Sequence, residues 1–139
     1  MEENCKNFHL GDVLSVTTGR LLSPKGIGGV YEILNFMTND NLYTHQLPRA
    51  AEECKPFLFS QFPQLDSPEM DFAVTELELM LETESGKQEP MNLILGWLSK
   101  LTSGKYGVQI TEELSVLRIY EWCHEKKNPI EELVQMRNK

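Results

Sequence analysis

Residues 27–62, IGGVYEILNFMTNDNLYTHQLPRAAEECKPFLFSQF, place a polar segment between two apolar runs. In both runs the apolar side chains recur every three or four residues, which puts them on one face of a helix. The first stripe comprises Ile27, Val30, Tyr31, Leu34 and Met37, and the second comprises Leu47, Ala51, Cys54, Leu58 and Phe62. The stretch therefore predicts two packed helices. Pro56 removes a helical hydrogen bond, so the second helix is expected to kink or to divide in two near Lys55.

Further elements are predicted outside this stretch. They are a short helix over 10–19, with a strand as the alternative, and a helix over 66–81 capped by Asp66 and Glu69. A turn over 84–89, a strongly apolar helix from Pro90 to Gly104, and a last amphipathic helix begun by Asn128 and Pro129 follow. Two β-favouring runs, 106–111 and 116–122, predict a small hairpin. The predicted fold class is mainly α, with α+β as the alternative: a compact domain of five to six helices with a small β-hairpin near 106–122.

The length of the chain sets its predicted domain organisation. A chain of 139 residues fits one domain with one core. Residues 1–9 are polar and are expected to form a flexible arm. Residues 10–139 are expected to form a single domain, with a helical core over 10–65 and additional helices and the hairpin over 66–139.

The charge of the chain excludes several classes of partner. The net charge is −8, whereas binding to nucleic acid or to an anionic membrane needs a basic surface. Residues 27–54 have the spacing of a helix-turn-helix, but residues 1–60 hold more acidic than basic side chains, which argues against DNA binding. No apolar run reaches the ~18 residues of a membrane span, and the N-terminus lacks a signal-peptide pattern, so a cytosolic location is expected. The acidity either keeps the protein soluble or provides a face for a basic protein.

Cysteine and histidine positions predict neither a metal site nor a cofactor. Cys5, Cys54 and Cys123 are far apart and odd in number, which argues against a disulfide framework and a zinc knuckle. The three histidines are isolated from other metal ligands. His45 with Thr44 is a candidate base and nucleophile, but the sequence places no orienting group or oxyanion site beside them, so no catalytic residue is assigned.

The polar segment, residues 38–49, and a glycine-rich turn before it are the candidate ligand-binding regions. Gly26, Gly28 and Gly29 resemble a phosphate-cradling loop only weakly, with a flexible helix start as the alternative. Arginine side chains bind phosphate groups. The hydroxyl of threonine and the amide of glutamine form hydrogen bonds with the edge of a nucleobase. The predicted ligand-binding residues are Arg20, Lys25, Tyr43, Thr44, His45, Gln46 and Arg49. This hypothesis requires the fold to bring Arg20 and Lys25 beside the segment.

Three stretches resemble a family of small uncharacterised bacteriophage proteins. They read GDVLSVTTGRLLSP from Gly11, GGVYEILNFMT from Gly28 and DNLYTHQLPR from Asp40, and residues 128–136, NPIEELVQM, are similar to the tail of that family. The resemblance implies action in the cytoplasm of an infected bacterium. Small phage proteins of this kind often counter host defence, either by sequestering a nucleotide signal or by blocking a host protein.

The favoured hypothesis is a non-enzymatic binding protein, an anti-defence sponge that holds a phosphate-bearing nucleotide, often across a homo-oligomer interface. The alternative is an inhibitor or adaptor that meets a host protein through its acidic helices, residues 76–84 especially. An enzyme that processes a nucleotide is the third hypothesis.

Overall fold

A computed structural model describes residues 5–118 of the chain. In chain order, its elements are strand β1 (Cys5–His9) and helices α1 (Leu10–Thr18), α2 (Ile27–Thr38), α3 (Leu47–Gln61), α4 (Pro68–Leu81), α5 (Glu84–Gln88) and α6 (Pro90–Thr102), followed by strand β2 (Glu113–Leu117). Two short 3₁₀ helices, Thr44–Gln46 and Pro63–Asp66, precede α3 and α4. The prediction of a mainly helical fold of five to six helices with a small β element is confirmed: the described residues contain six α-helices and one two-stranded antiparallel sheet. The last predicted helix, after Asn128, lies outside the described residues.

The two strands are the first and the last elements of the described residues, and they pair with each other. They pair antiparallel, with Cys5 opposite Leu117 and His9 opposite Glu113. Phe8 of β1 and Val116 of β2 are buried, which ties this ribbon to the helical core. Residues 5–9 were predicted within a flexible arm and instead form a strand. The second strand covers 113–117 where 116–122 was predicted, and it pairs with β1, because residues 106–111 form no strand.

Helices α1, α2 and α3 pack around one another, and α4 and α6 extend the same cluster of buried side chains. The largest fully buried side chain is Trp97 of α6, whose Nε1 donates to the carbonyl oxygen of Ala73 in α4 at 2.9 Å. This hydrogen bond satisfies the one polar atom of the indole inside the core. Through Trp97 the strongly apolar helix predicted from Pro90 is part of the core, where it packs mainly against α4 and α5.

Several helix ends differ from the sequence-based predictions. Ser67, one residue after the predicted Asp66, caps α4 by accepting from the backbone N–H of Met70 at 3.1 Å. Residues 84–88 form the short helix α5 where a turn was predicted. Helix α3 runs as one helix through Pro56, so a division into two helices is wrong. Across the described residues, no helix combines the length and the apolar character needed to cross a membrane.

Candidate functional site

A groove lies between the C-terminal end of α1, the start of α2 and the first turns of α3. We call it the α1–α2–α3 groove; it has a volume of about 400 Å³. Its walls are mostly apolar, formed by Val16, Leu21, Ile27, Val30, Leu34, Leu47, Pro48 and Ala51. Ligand pockets typically enclose about 300–1,000 Å³ and are lined mainly by apolar side chains with a few polar groups. The groove meets that description.

Two exposed apolar side chains stand at the rim of the groove. Gly19 ends α1 with a φ of 77°, a left-handed conformation that favours glycine and turns the chain back toward α2. After this turn Leu21 remains 51% exposed, and Ile27 at the start of α2 remains 54% exposed. Leu22, between them, is buried in the core. The loop thus leaves apolar surface in contact with water next to the groove.

The charged residues at the rim have partners of their own. Arg20 Nε donates to Glu78 Oε2 of α4 at 2.7 Å, and Lys55 Nζ lies 3.5 Å from Glu52 Oε1. Both pairs are partly exposed to solvent, where an ion pair contributes about 0–1 kcal/mol. A stronger anionic ligand would therefore compete with Glu78 for Arg20 at little energetic cost.

The N-terminus of α2 opens at the same rim, because Ile27 is both the first residue of α2 and part of the groove. Gly26 precedes it with a φ of 69°, and no side chain caps this helix end. Gly29 N–H is satisfied by the carbonyl oxygen of Gly26 at 3.1 Å. Uncapped N–H groups and the helix dipole make such an end favourable for an anion. Lys25 lies just before it and pairs with Glu32 at 3.0 Å, and this hydrogen bond and charge raise the pKa of Lys25.

Buried polar contacts fix the loop that forms the rim. Ser15 Oγ donates to Gly11 O at 2.7 Å and accepts from Leu22 N at 2.8 Å. Ser23 Oγ donates to the carboxylate of Asp12 and accepts from Lys25 N at 3.1 Å. These contacts hold the loop against α1, so the groove is shaped before any ligand arrives.

The polar segment lies beside the groove and does not line it, except through Leu47 and Pro48. Tyr43 and His45 are exposed, and their rings stack with centroids 6.0 Å apart and planes 19° apart. Thr44 Oγ1 lies 2.6 Å from the hydroxyl of Tyr31 in α2. Arg49 pairs with Glu53 at 3.2 Å along α3.

Gln46 is the predicted ligand-binding residue that the fold uses for structure. Its side chain is fully buried, and its Oε1 accepts from Tyr43 N at 2.8 Å, which closes the 3₁₀ turn before α3. The seven predicted ligand-binding residues thus fall into two groups. Arg20 lines the α1–α2–α3 groove and Lys25 adjoins it, whereas Tyr43, Thr44, His45, Gln46 and Arg49 do not line it.

A second, smaller cleft of about 150 Å³ includes His9, Ser99, Thr102 and Glu112. Sequence analysis missed it because these residues are far apart in the chain. His9 Nδ1 accepts from Gly11 N at 2.9 Å and caps α1, so the proton of the neutral ring is on Nε2, which lies 3.6 Å from Glu112 Oε1. The lone pair of Nδ1, with which His9 would take a proton as a general base, already accepts the hydrogen bond from Gly11 N. Among residues 5–118, no group of three or more His, Cys, Asp or Glu side chains could hold a metal ion.

Residues 8–67 match the model of a family described as a domain of unknown function, DUF7736. This region is therefore similar to a domain of an uncharacterised family. It extends from the end of β1 through the second 3₁₀ helix, and it includes every residue that lines the α1–α2–α3 groove. A comparison with curated proteins gives no match to the chain, and neither does a comparison with solved structures.

Proposed function

We propose that this protein is a non-enzymatic binding protein that holds a phosphate-bearing nucleotide in the α1–α2–α3 groove. One observation carries the proposal: a preformed apolar groove of about 400 Å³ opens beside the uncapped N-terminus of α2 and the guanidinium of Arg20. The groove suits the planar, weakly polar base, and the helix end suits the phosphate.

Each part of the ligand has a named partner in this proposal. The base lies against Val30, Pro48 and Ala51, where burial of its faces removes apolar surface from water. The phosphate lies at the first turn of α2 and accepts hydrogen bonds from backbone N–H groups. Arg20 leaves Glu78 and binds the phosphate instead. Its planar guanidinium donates two parallel hydrogen bonds to two phosphate oxygens.

The biological setting is part of the proposal and follows from the resemblance to small bacteriophage proteins. The protein acts in the cytoplasm of the infected host as a counter-defence sponge, and it sequesters a cyclic or ADP-ribose-type signal. Exposed Leu21 and Ile27 at the rim favour a homo-oligomer in which a second copy closes the groove.

Thermal unfolding in the presence of a panel of cyclic dinucleotides and ADP-ribose derivatives tests the proposal. A ligand that binds only the folded state adds about 2.7 kcal/mol at ~100 times its dissociation constant, which raises the Tm by several degrees. The ligand is then recovered and its mass measured. An unaltered mass is expected for a sponge, whereas a changed mass supports the enzyme hypothesis and no shift with any nucleotide supports the protein-inhibitor alternative.

A matched pair of variants locates the binding site. Leu21→Asp puts a carboxylate at the rim of the groove, where it repels a phosphate, and should abolish the ligand-induced shift. Leu95→Asp on α6 makes the same change in charge at a similarly exposed leucine outside the groove and should leave the shift intact. If both variants lost the ligand-induced shift in Tm equally, the groove would not be the binding site.

A further inference from the structure

Helix α4 presents an outer face that nothing in the described chain covers. Phe72 and Leu79 are seven residues apart, so they lie on the same side of the helix, two turns from each other. They are 64% and 62% exposed, the two highest values among the large apolar side chains of the described region. Exposed apolar side chains scattered singly need no explanation, but Phe72 and Leu79 share one side of a helix and together form an apolar strip.

The charges on α4 itself have one sign. Residues 68–84 contain no lysine or arginine, and their acidic members are Glu69, Asp71, Glu76, Glu78, Glu82 and Glu84. Two of these are engaged within the fold: Glu78 accepts from Arg20, and Glu76 accepts from the hydroxyl of Tyr106 at 3.2 Å. Burial, with the charge and hydrogen bond of Glu76 in addition, raises the pKa of Tyr106, so this hydroxyl keeps its proton.

Two further carboxylates near the ends of the strip are exposed to solvent. Glu69, three residues before Phe72, and Glu82, three residues after Leu79 and just past the end of α4, are both exposed. No ion pair engages either of them within residues 5–118. We define the α4 face as Glu69, Phe72, Thr75, Leu79 and Glu82.

We infer that the α4 face is a docking surface for a basic, amphipathic helix of a partner protein. Such a helix would place leucine-like side chains on Phe72 and Leu79 and lysine or arginine beside Glu69 and Glu82, so the occupant is fixed by charge complementarity. A second copy of this chain does not fit, because two α4 faces would bring like charges together. An anionic membrane is repelled for the same reason. The surface is separate from the groove, so this inference does not depend on nucleotide binding.

Binding of a defined peptide to the full chain tests the inference. The probe is a fluorescent helical peptide of about 18 residues, composed of leucine and lysine with the leucines on one face. The control peptide keeps the lysines and replaces the leucines by serine. We expect the amphipathic peptide to bind at least tenfold more tightly than the control, since simple charge attraction is the same for both.

Variants of the α4 face separate this site from the rest of the acidic surface. Phe72→Ala and Leu79→Ala should each weaken peptide binding at least fivefold, whereas Leu95→Ala, which removes an exposed leucine from α6, should not change it. Equal binding by all three variants, or by both peptides, would overturn the inference. So would a fall of several degrees in the Tm of Phe72→Ala and Leu79→Ala, because it would mean that the chain itself covers this face.

Discussion

The hydroxyl of Ser23 donates a hydrogen bond to the carboxylate of Asp12, and both side chains are buried. The pair joins the loop before α2 to the first turn of α1. Gly29 of α2 packs directly onto it, since a Cβ atom at this position would overlap both Ser23 Oγ and Asp12 Oδ1. The adjacent Gly28 is exposed, and a Cβ atom there would meet no atom within 4 Å. The two glycines therefore have different roles.

Substitution of each glycine by alanine should change stability in opposite directions. Gly29→Ala should lower the free energy of unfolding by about 1–3 kcal/mol, because the methyl group forces the buried pair apart. Gly28→Ala should raise it by about 0.5–1 kcal/mol, because alanine favours the helix and reduces the freedom of the unfolded chain. Urea denaturation of both variants measures the difference. Equal effects would mean that Gly29 is not packed as described.

Strand β1 is expected to be part of the cooperative fold. The ring of Phe8 is buried, and its centroid lies 5.5 Å from that of Phe36 in α2. Phe8→Ala should therefore lower the free energy of unfolding by about 3–5 kcal/mol, as for other phenylalanines in cores. Asn7→Ala, one residue earlier and exposed, is the control and should stay within about 0.5 kcal/mol of the parent protein. A neutral effect of Phe8→Ala would support the flexible arm that the sequence predicted.

Two described cysteines should differ in reactivity. Burial, with a smaller effect of the Glu53 carboxylate, raises the pKa of the Cys54 thiol from 9.0 to about 12, whereas Cys5 is exposed. Only a thiolate is alkylated readily, so iodoacetamide at about pH 8 should modify Cys5 and spare Cys54 until the protein unfolds. Peptide mass mapping, with and without denaturant, measures both sites. Modification of Cys54 at the rate of Cys5 in the native protein would contradict its burial.

The same shift gives the sign of a pH effect on stability. In the unfolded chain Cys54 ionises near its ordinary pKa of 9.0, but in the folded protein it stays protonated up to about 12. The contribution of this thiol to stability is therefore fully present below pH 9 and is lost as the pH rises toward 12. Cys54→Ala should remove this part of the alkaline loss of stability, which denaturation at several pH values measures.

The helices were predictable from sequence because their apolar stripes are long and regular. Leu34 and Met37 of α2, and Trp97 and Leu101 of α6, repeat with helical spacing and are found in the core, whereas Ile27, the first member of the predicted α2 stripe, is exposed. Strand β1 was not predictable, because it has five residues and its partner lies more than a hundred residues away. A pairing so distant is set by the packing of the helices between the strands and leaves no local pattern.

The candidate site was predictable only in part. Arg20 and Lys25 stood out as cations near a glycine-rich helix start, and the fold places Arg20 in the lining of the groove but not Lys25. Gln46 belongs to a polar segment and was predicted to face a ligand, but its amide completes a turn inside the core. The apolar walls of the groove could not be predicted from sequence. Val30 and Ala51 belong to regular helical stripes, and such a pattern indicates a buried helix face and not a groove.

The ion pair between Arg20 and Glu78 offers the most direct test of nucleotide binding in the groove. Isothermal titration calorimetry should measure the dissociation constant of a cyclic dinucleotide and of ADP-ribose for the parent protein, Arg20→Gln and Glu78→Gln. Loss of the guanidinium should weaken binding about tenfold or more, which is about 1.4 kcal/mol. Glu78→Gln should tighten binding, because Arg20 no longer has to break its ion pair with the Glu78 carboxylate before it binds the phosphate. Absence of binding to the parent protein, or equal dissociation constants in all three, would contradict the assignment of the groove as a nucleotide site.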